Sequence, residues 1–329
     1  MTNTTKITLL ATLILSACNT KSDAEQGTTT STPYITRILD FCPAPGQYTN
    51  TIPEYEEGDT QSDMNQKVLD RIGNNNLSMI SLGGYGGYVV VGFDHTIENV
   101  DGCCDFRVLG NAYYSEATDD SPAGGSCEAG IIMVSRDTNG NGIADDQWYE
   151  IAGSSHDTPT QEPWYEAATE AGADTAFYED YQITYLSPSS EEVTSEYIYW
   201  SDNKGGSGYI PKNQYHTQSY FPAWIDSESL TFSGSRLPQN GIADSGSTSF
   251  VLYKFNYGYA DNATNDSDES AIDISWARDE DGNPAALDGV DFIKIFTATN
   301  QINGWLGECS TEITGVEDLH LLGVEIATW

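Results

Sequence analysis

Tyr88-Val-Val-Val-Gly-Phe-Asp-His-Thr-Ile97, Gly130-Ile-Ile-Met-Val-Ser135 and Phe292-Ile-Lys-Ile-Phe-Thr297 decide the fold. Each run is short, β-branched and aromatic, and each is bounded by Gly, Asn, Asp or Pro clusters, the pattern of a strand between turns. The same pattern recurs at Phe106–Leu109, Trp148–Ala152, Tyr181–Leu186, Tyr197–Trp200, Leu230–Phe232, Phe250–Phe255 and Ile272–Trp276. No fixed period links these runs, which argues against a propeller or a β-helix. The expectation is a mainly β chain, a β-sandwich or jelly-roll-like fold with long loops and one or two short helices. One helix is expected over Asp63–Ile72, where Met64, Val68, Leu69 and Ile72 share a face, Ser62 caps the start and Gly73 ends it. A second, short surface helix is expected over Pro163–Ala171.

Composition narrows the function. Fifty acidic residues against 13 basic ones give a net charge of -37, so the chain is repelled by DNA, RNA and anionic lipid headgroups. With 20 Tyr, 10 Phe and 7 Trp there is enough apolar material for a sizeable core, and a folded chain is expected. Its 329 residues allow one large domain or two modest ones.

The first residues set the compartment. Lys6 precedes an apolar stretch from Ile7 to Leu15, too short for a membrane span, and small residues follow. Leu15-Ser-Ala-Cys18 resembles the lipobox of bacterial lipoproteins, which implies cleavage before Cys18 and its acylation. At ~0.8 kcal/mol per buried CH₂, several acyl chains anchor a protein essentially permanently. Residues 1–17 are thus read as a lipoprotein signal peptide and 18–33 as a flexible Thr/Ser-rich tether, which leaves 34–329 as the folded domain. Asp23 and Glu25 behind Cys18 resemble the acidic export signals of Bacteroidetes surface lipoproteins, although Lys21 interrupts them. Five cysteines remain, Cys42, Cys103, Cys104, Cys127 and Cys309, and their number leaves at least one thiol unpaired within the chain. No CxxC supports a zinc ribbon or a thioredoxin motif.

Asp137-Thr-Asn-Gly-Asn-Gly-Ile-Ala-Asp-Asp146 is the most informative loop. A hard cation needs six to eight oxygens at ~2.3–2.6 Å, and alternate residues of a tight loop point inward to supply them. Asp137, Asn139 and Asn141 are candidate side-chain ligands, Ile143 a carbonyl ligand, and Asp145 or Asp146 a carboxylate ligand for Ca²⁺. Trp148 stands where an EF-hand has its bidentate Glu, so the role expected is structural. The acidic stretches Asp261–Glu269 and Asp279–Asn283 lack ligand spacing and read as solvated loops.

Tyr209, Tyr215, Tyr220, Phe221 and Trp224 lie in a long, irregular segment and combine flat apolar faces with polar tips, which suits contact with a sugar or a macrocycle. No catalytic residues are assigned. GxSxG, HExxH and a phosphate-cradling glycine loop are absent, and the four histidines are far apart in sequence. Acids are so abundant that a catalytic pair could exist, but nothing selects one.

Ile80–His95, Asp105–Tyr113, Gly125–Ser135, Trp148–Gly153, Gly304–Glu308 and Glu317–Gly323 together resemble a family of Bacteroidetes cell-surface lipoproteins. The resemblance spans about Tyr34 to Gly323 and implies one continuous domain. It also implies capture of an extracellular nutrient beside an outer-membrane TonB-dependent transporter, as in vitamin B12 (cobalamin) uptake loci. It supplies no site residues, and the chain departs from the pattern at Cys103, Cys104 and the Trp164 helix. The leading expectation is therefore a non-enzymatic, surface-exposed outer-membrane lipoprotein that binds a small molecule such as a corrinoid. A glycan-binding or glycan-hydrolysing protein and a structural or adhesive surface protein are the alternatives.

If the 137–146 loop holds calcium at an extracellular-type dissociation constant of ~10⁻⁴–10⁻³ M, millimolar calcium adds about 1 kcal/mol. Thermal melting in EDTA and then in excess calcium should show a lowered transition that recovers; a transition unmoved by either excludes the loop as a calcium site.

Overall fold

In the computed structural model, which describes residues 30–76, 78–114, 122–243 and 249–328, the chain is mainly β with a few short helices. Cys18, the signal peptide and most of the tether lie outside the described residues. Ser31–Trp329 form one compact unit. Among the described residues no helix is long and apolar enough to cross a membrane.

The three deciding runs become neighbours. A six-stranded antiparallel sheet has the order Arg37–Cys42, Tyr88–Glu98, Gly289–Thr297, Gly130–Ser135, Trp148–Ile151, Ala277–Arg278. Strand Gly289–Thr297 is central: Ile293 pairs with Val91 and Val134, and Ile295 with Val89 and Ile132. Because successive side chains point to opposite faces, these partners all fall on one side. There they join Phe41, Phe93, Ile97, Phe106 and Ile313 in the largest apolar cluster. The opposite face carries Ile131 and Phe296 at one end, covered by Trp164, Leu237, Phe255 and Tyr259. At its other end the same face is polar, and there the sheet is not closed over.

Four smaller antiparallel sheets surround this one. Ser207–Ile210, Ile198–Asp202, Tyr178–Leu186 and Ser229–Arg236 form one with its own aromatic core of Tyr85, Tyr181, Tyr185, Tyr197, Tyr220 and Phe232. Gly241–Ala243, Phe250–Tyr253, Gly124–Ser126 and Tyr113–Tyr114 form the next, Ala271–Ile272, Phe106–Leu109 and Gly315–Asp318 a third, and Glu312–Ile313 pairs with Ile80–Ser81. The glycine run 83–87 stitches two sheets together. Gly86 has φ 86°, and a Cβ there would fall 2.2 Å from Phe232 Cβ, so only glycine allows this approach.

Most boundaries follow the sequence pattern, and the exceptions have physical causes. The first helix runs Gln61–Ile72 and is capped by Thr60 instead of Ser62, because Thr60 and Asp63 form a reciprocal capping box. It buries Met64, Val68 and Ile72, while Gln61 Nε2 and Asn65 Nδ2 donate to the Phe41 and Leu39 carbonyls of the edge strand Arg37–Cys42. That contact shields an otherwise open sheet edge. The second helix shortens to Tyr165–Glu170, and Trp164 before it is 1% exposed, its Nε1 donating to the Lys254 carbonyl at 2.9 Å. It is pinned into the core by its first turn, where the sequence suggested a surface helix. The expected strand Ile272–Trp276 breaks after Ile272, since the Asp273 side chain accepts from Ser275 N at 2.7 Å and starts a 3₁₀ turn over Ile274–Trp276. The five described cysteines form no disulfide.

Ile293→Ala empties a fully buried site between two strands and should cost about 2–5 kcal/mol in urea unfolding. Lys294→Met, one residue on but facing the uncovered side, should cost much less.

Candidate functional site

The uncovered face is built by register. Lys294 pairs with Met133, Met133 with Glu150, and Glu150 with Arg278, so four side chains from four adjacent strands line up in one row. Trp148, two residues before Glu150, shares their face, whereas Tyr149 between them packs into the main core. This row floors a cavity of about 550 Å³. Its walls are Ser233, Gly234 and Ser235 from Ser229–Arg236, Glu179 from Tyr178–Leu186, His156 from the short helix Ser154–Asp157, and the turn Asp279–Gly282. The acidic turn that read as solvated is therefore the cavity rim, held by its own Asx geometry as Asp279 Oδ1 accepts from Asn283 N at 2.8 Å.

Charges here are arranged unevenly. Burial pushes the Glu150 carboxyl above the usual range and the nearby Glu179 charge adds to this, while Ser235 Oγ donates to Glu150 Oε2 at 2.8 Å and opposes it. Burial likewise pulls the Lys294 ammonium below its ordinary value, with Asp40 acting against the shift. Its Nζ lies 4.3 Å from the Tyr88 ring centroid, a cation–π contact. Neither Lys294 nor Arg278 forms a salt bridge among the described residues, and both line the cavity. The cavity thus offers two cations, five carboxylates (Glu150, Glu179, Asp279, Glu280 and Asp281), an imidazole, serine hydroxyls and one indole face. Such a mixture fixes a polar small molecule through several directed bonds.

The candidate calcium loop adjoins this cavity. It connects the neighbouring strands Gly130–Ser135 and Trp148–Ile151, and Gly142, Ile143 and Ala144 line a second hollow of about 490 Å³ that shares Trp148 and Lys294 with the first. Asp137 accepts from Asn141 N at 3.1 Å and from Gly142 N at 2.8 Å, and Asn141 Oδ1 accepts from Ile143 N at 2.7 Å. Asn139 and Asn141 both donate to Asp145, at 3.3 and 3.2 Å, while Asp146 is held by Thr138. Asp137, Asn139, Asn141 and Asp145 are therefore gathered round one turn. Ile143 is 58% exposed at the edge of this second hollow.

The five aromatic candidates are not brought to one surface. Tyr220 and Phe221 are 0% and 6% exposed, and Trp224 stacks on Phe41 at 5.8 Å with its Nε1 donating to Gln61 Oε1. The loop folds down because these rings fill the core beside the Tyr-rich sheet. Tyr209 and Tyr215 stay exposed, and none of the five lines the cavity. Of the histidines, His95 bridges Asp94 and Asp318, His320 meets Asp105 at 2.9 Å, His216 touches Tyr48, and His156 alone lines this cavity.

Glu150, Arg278, Met133 and Lys294 were not singled out from sequence. The signal was present in Lys294 and Glu150, charges placed inside otherwise apolar strand runs. No protein-family model matches the chain, and no curated protein is similar to it.

A carboxyl whose folded-state pKa is raised binds its proton more tightly when folded, so it destabilises the fold as pH rises above the ordinary carboxylate range. Glu150→Gln, which keeps the Ser235 bond, should therefore raise the melting temperature at pH 7. At pH 4, where the parent carboxyl is protonated when folded, the difference should shrink. Melting both proteins at the two pH values checks this.

Proposed function

We propose that this chain is an outer-membrane-anchored surface lipoprotein, held by acylated Cys18, that captures a small extracellular nutrient and delivers it to a TonB-dependent transporter. The observation that carries the reading is the cavity over the Lys294–Met133–Glu150–Arg278 row. Its volume lies within the roughly 300–1,000 Å³ of small-molecule sites, and its lining combines an aromatic face with two cations, five carboxylates and hydroxyls. A corrinoid, the leading candidate, would present amide and phosphate oxygens to Arg278 and Lys294 and an apolar edge to Trp148. The cavity takes one side of such a ligand and does not enclose it. Calcium in the 137–146 loop would stiffen the wall next to Trp148.

A glycan-hydrolysing reading has one specific support: Glu150, pushed up by burial, shares the cavity with the exposed Glu179. Two carboxylates in unlike environments are what an acid and a base require.

Calorimetry of the protein against cyanocobalamin and then common oligosaccharides tests both readings. Capture predicts micromolar or tighter binding of one of them, weakened about 10- to 100-fold by Arg278→Ala, the range for losing a hydrogen bond to a charged group. Turnover of a glycan abolished by Glu150→Gln would replace capture with hydrolysis. Silence with every ligand would leave a structural or adhesive role.

A further inference from the structure

Outside that cavity, Glu128, Asp261 and Glu312 turn toward one another. Each brings a carboxylate oxygen within 4.8 Å of the other two. They come from distant segments: Glu128 precedes strand Gly130–Ser135, Asp261 follows the bridge of Ala260 to Gly130, and Glu312 opens Glu312–Ile313. Backbone and hydroxyl donors aim them. Ser310 N donates to Glu128 at 3.1 Å, Asn111 N and Glu312 N donate to Asp261 at 2.7 and 3.0 Å, and Ser310 Oγ donates to Glu312 at 3.0 Å. Asp261 holds a left-handed backbone at φ 49°, and a Cβ on Gly110 would fall 2.3 Å from its Oδ1. A strained residue and an obligatory glycine thus place this carboxylate inward.

Asp261 and Glu312 are 2% and 4% exposed, and no basic side chain bonds any of the three among the described residues. Glu128 and Glu312 line a cavity of about 450 Å³ together with Gln47, Tyr48, Asn303 and Ser310. Two further buried oxygens lack any donor among the described residues. One is Oδ1 of the cavity-lining Asn303, 1% exposed; the other is Oε2 of Glu308, 4% exposed, whose charge reaches Glu128.

Protons could neutralise the carboxylates, but they would leave an amide oxygen such as Asn303 Oδ1 unsatisfied. A hard cation, with the water it carries, satisfies both. Oxygens held ~2.3–2.6 Å from one ion are at most about 5 Å apart, a limit the three carboxylates meet. The donor set is all oxygen, which selects calcium, magnesium or manganese over zinc.

We propose that Glu128, Asp261 and Glu312 form a buried site for a hard divalent cation, reached through the 450 Å³ cavity and completed by Asn303 directly or through a bound water. It is separate from the 137–146 loop and independent of the nutrient cavity. Carboxylates fixed in advance by backbone donors supply the positioning that outer partners give to metal ligands.

The test removes the loop first. The protein carrying Asp137→Asn and Asp145→Asn is stripped with EDTA and titrated with calcium chloride and with manganese chloride, uptake being read by calorimetry and by metal analysis after dialysis. One ion per chain is expected, with the dissociation constant weakened at least tenfold by adding Glu128→Gln, the most accessible of the three. Asp261→Asn on the same background serves if Glu128→Gln fails to fold. No uptake by the loop variant at millimolar metal, or an unchanged dissociation constant in the folded carboxamide variant, overturns the proposal. Neither readout involves an organic ligand, so the outcome stands apart from that of the nutrient-binding test.

Discussion

The register of strand Gly289–Thr297 between Tyr88–Glu98 and Gly130–Ser135 is the constraint on which the rest of this molecule depends. Side chains alternate along it, so Ile293 and Ile295 enter the main core and Lys294 leaves it. A slip by one residue would bury the ammonium and expose both isoleucines, and the burial of two such side chains is worth about 1.5–3 kcal/mol each. The same alternation aligns Lys294, Met133, Glu150 and Arg278 on the opposite face. Core and cavity floor are therefore two sides of one pairing scheme, and neither can shift without the other.

A protein with 50 acidic residues must decide which of them to bury, and it does so in two ways. Asp105, fully buried, accepts from Val100 N, Ile274 N and His320 Nε2, and so joins three segments. There the acceptor capacity is used up by fixed partners, and the role is structural. Around Glu128, Asp261 and Glu312 donors orient the carboxylates without neutralising them, and Asn303 and Glu308 keep idle acceptors. The difference between the two arrangements is that His320 meets Asp105, whereas among the described residues no basic side chain meets the second group.

Much of the fold was legible in the sequence. Phe106–Leu109 and Gly130–Ser135 are strands with the bounds their composition suggests, because a β-branched run between turn residues has few alternatives. Trp164 was not legible as a core residue, since its burial depends on Phe255 and the Lys254 carbonyl, which lie about ninety residues away. The loop around Asp137 was legible because all its ligand candidates sit within one turn. Asp261 read as part of a solvated acidic stretch and is instead buried, its partners being Asn111 and Glu312. Tyr220 and Phe221 were expected to meet a ligand, and their apolar faces were taken up by the protein itself.

By itself the sequence determined the β class, the strongly negative net charge and the local grouping of one loop's side chains, all of which follow from composition or from neighbours along the chain. The tertiary structure alone decided which acids are buried together, which aromatics stay accessible and which charges share a face. The reason is distance along the chain. The Glu150–Arg278 pair and the Glu128–Asp261–Glu312 cluster join residues about fifty or more positions apart, and no local pattern marks a residue whose partner is chosen by strand order.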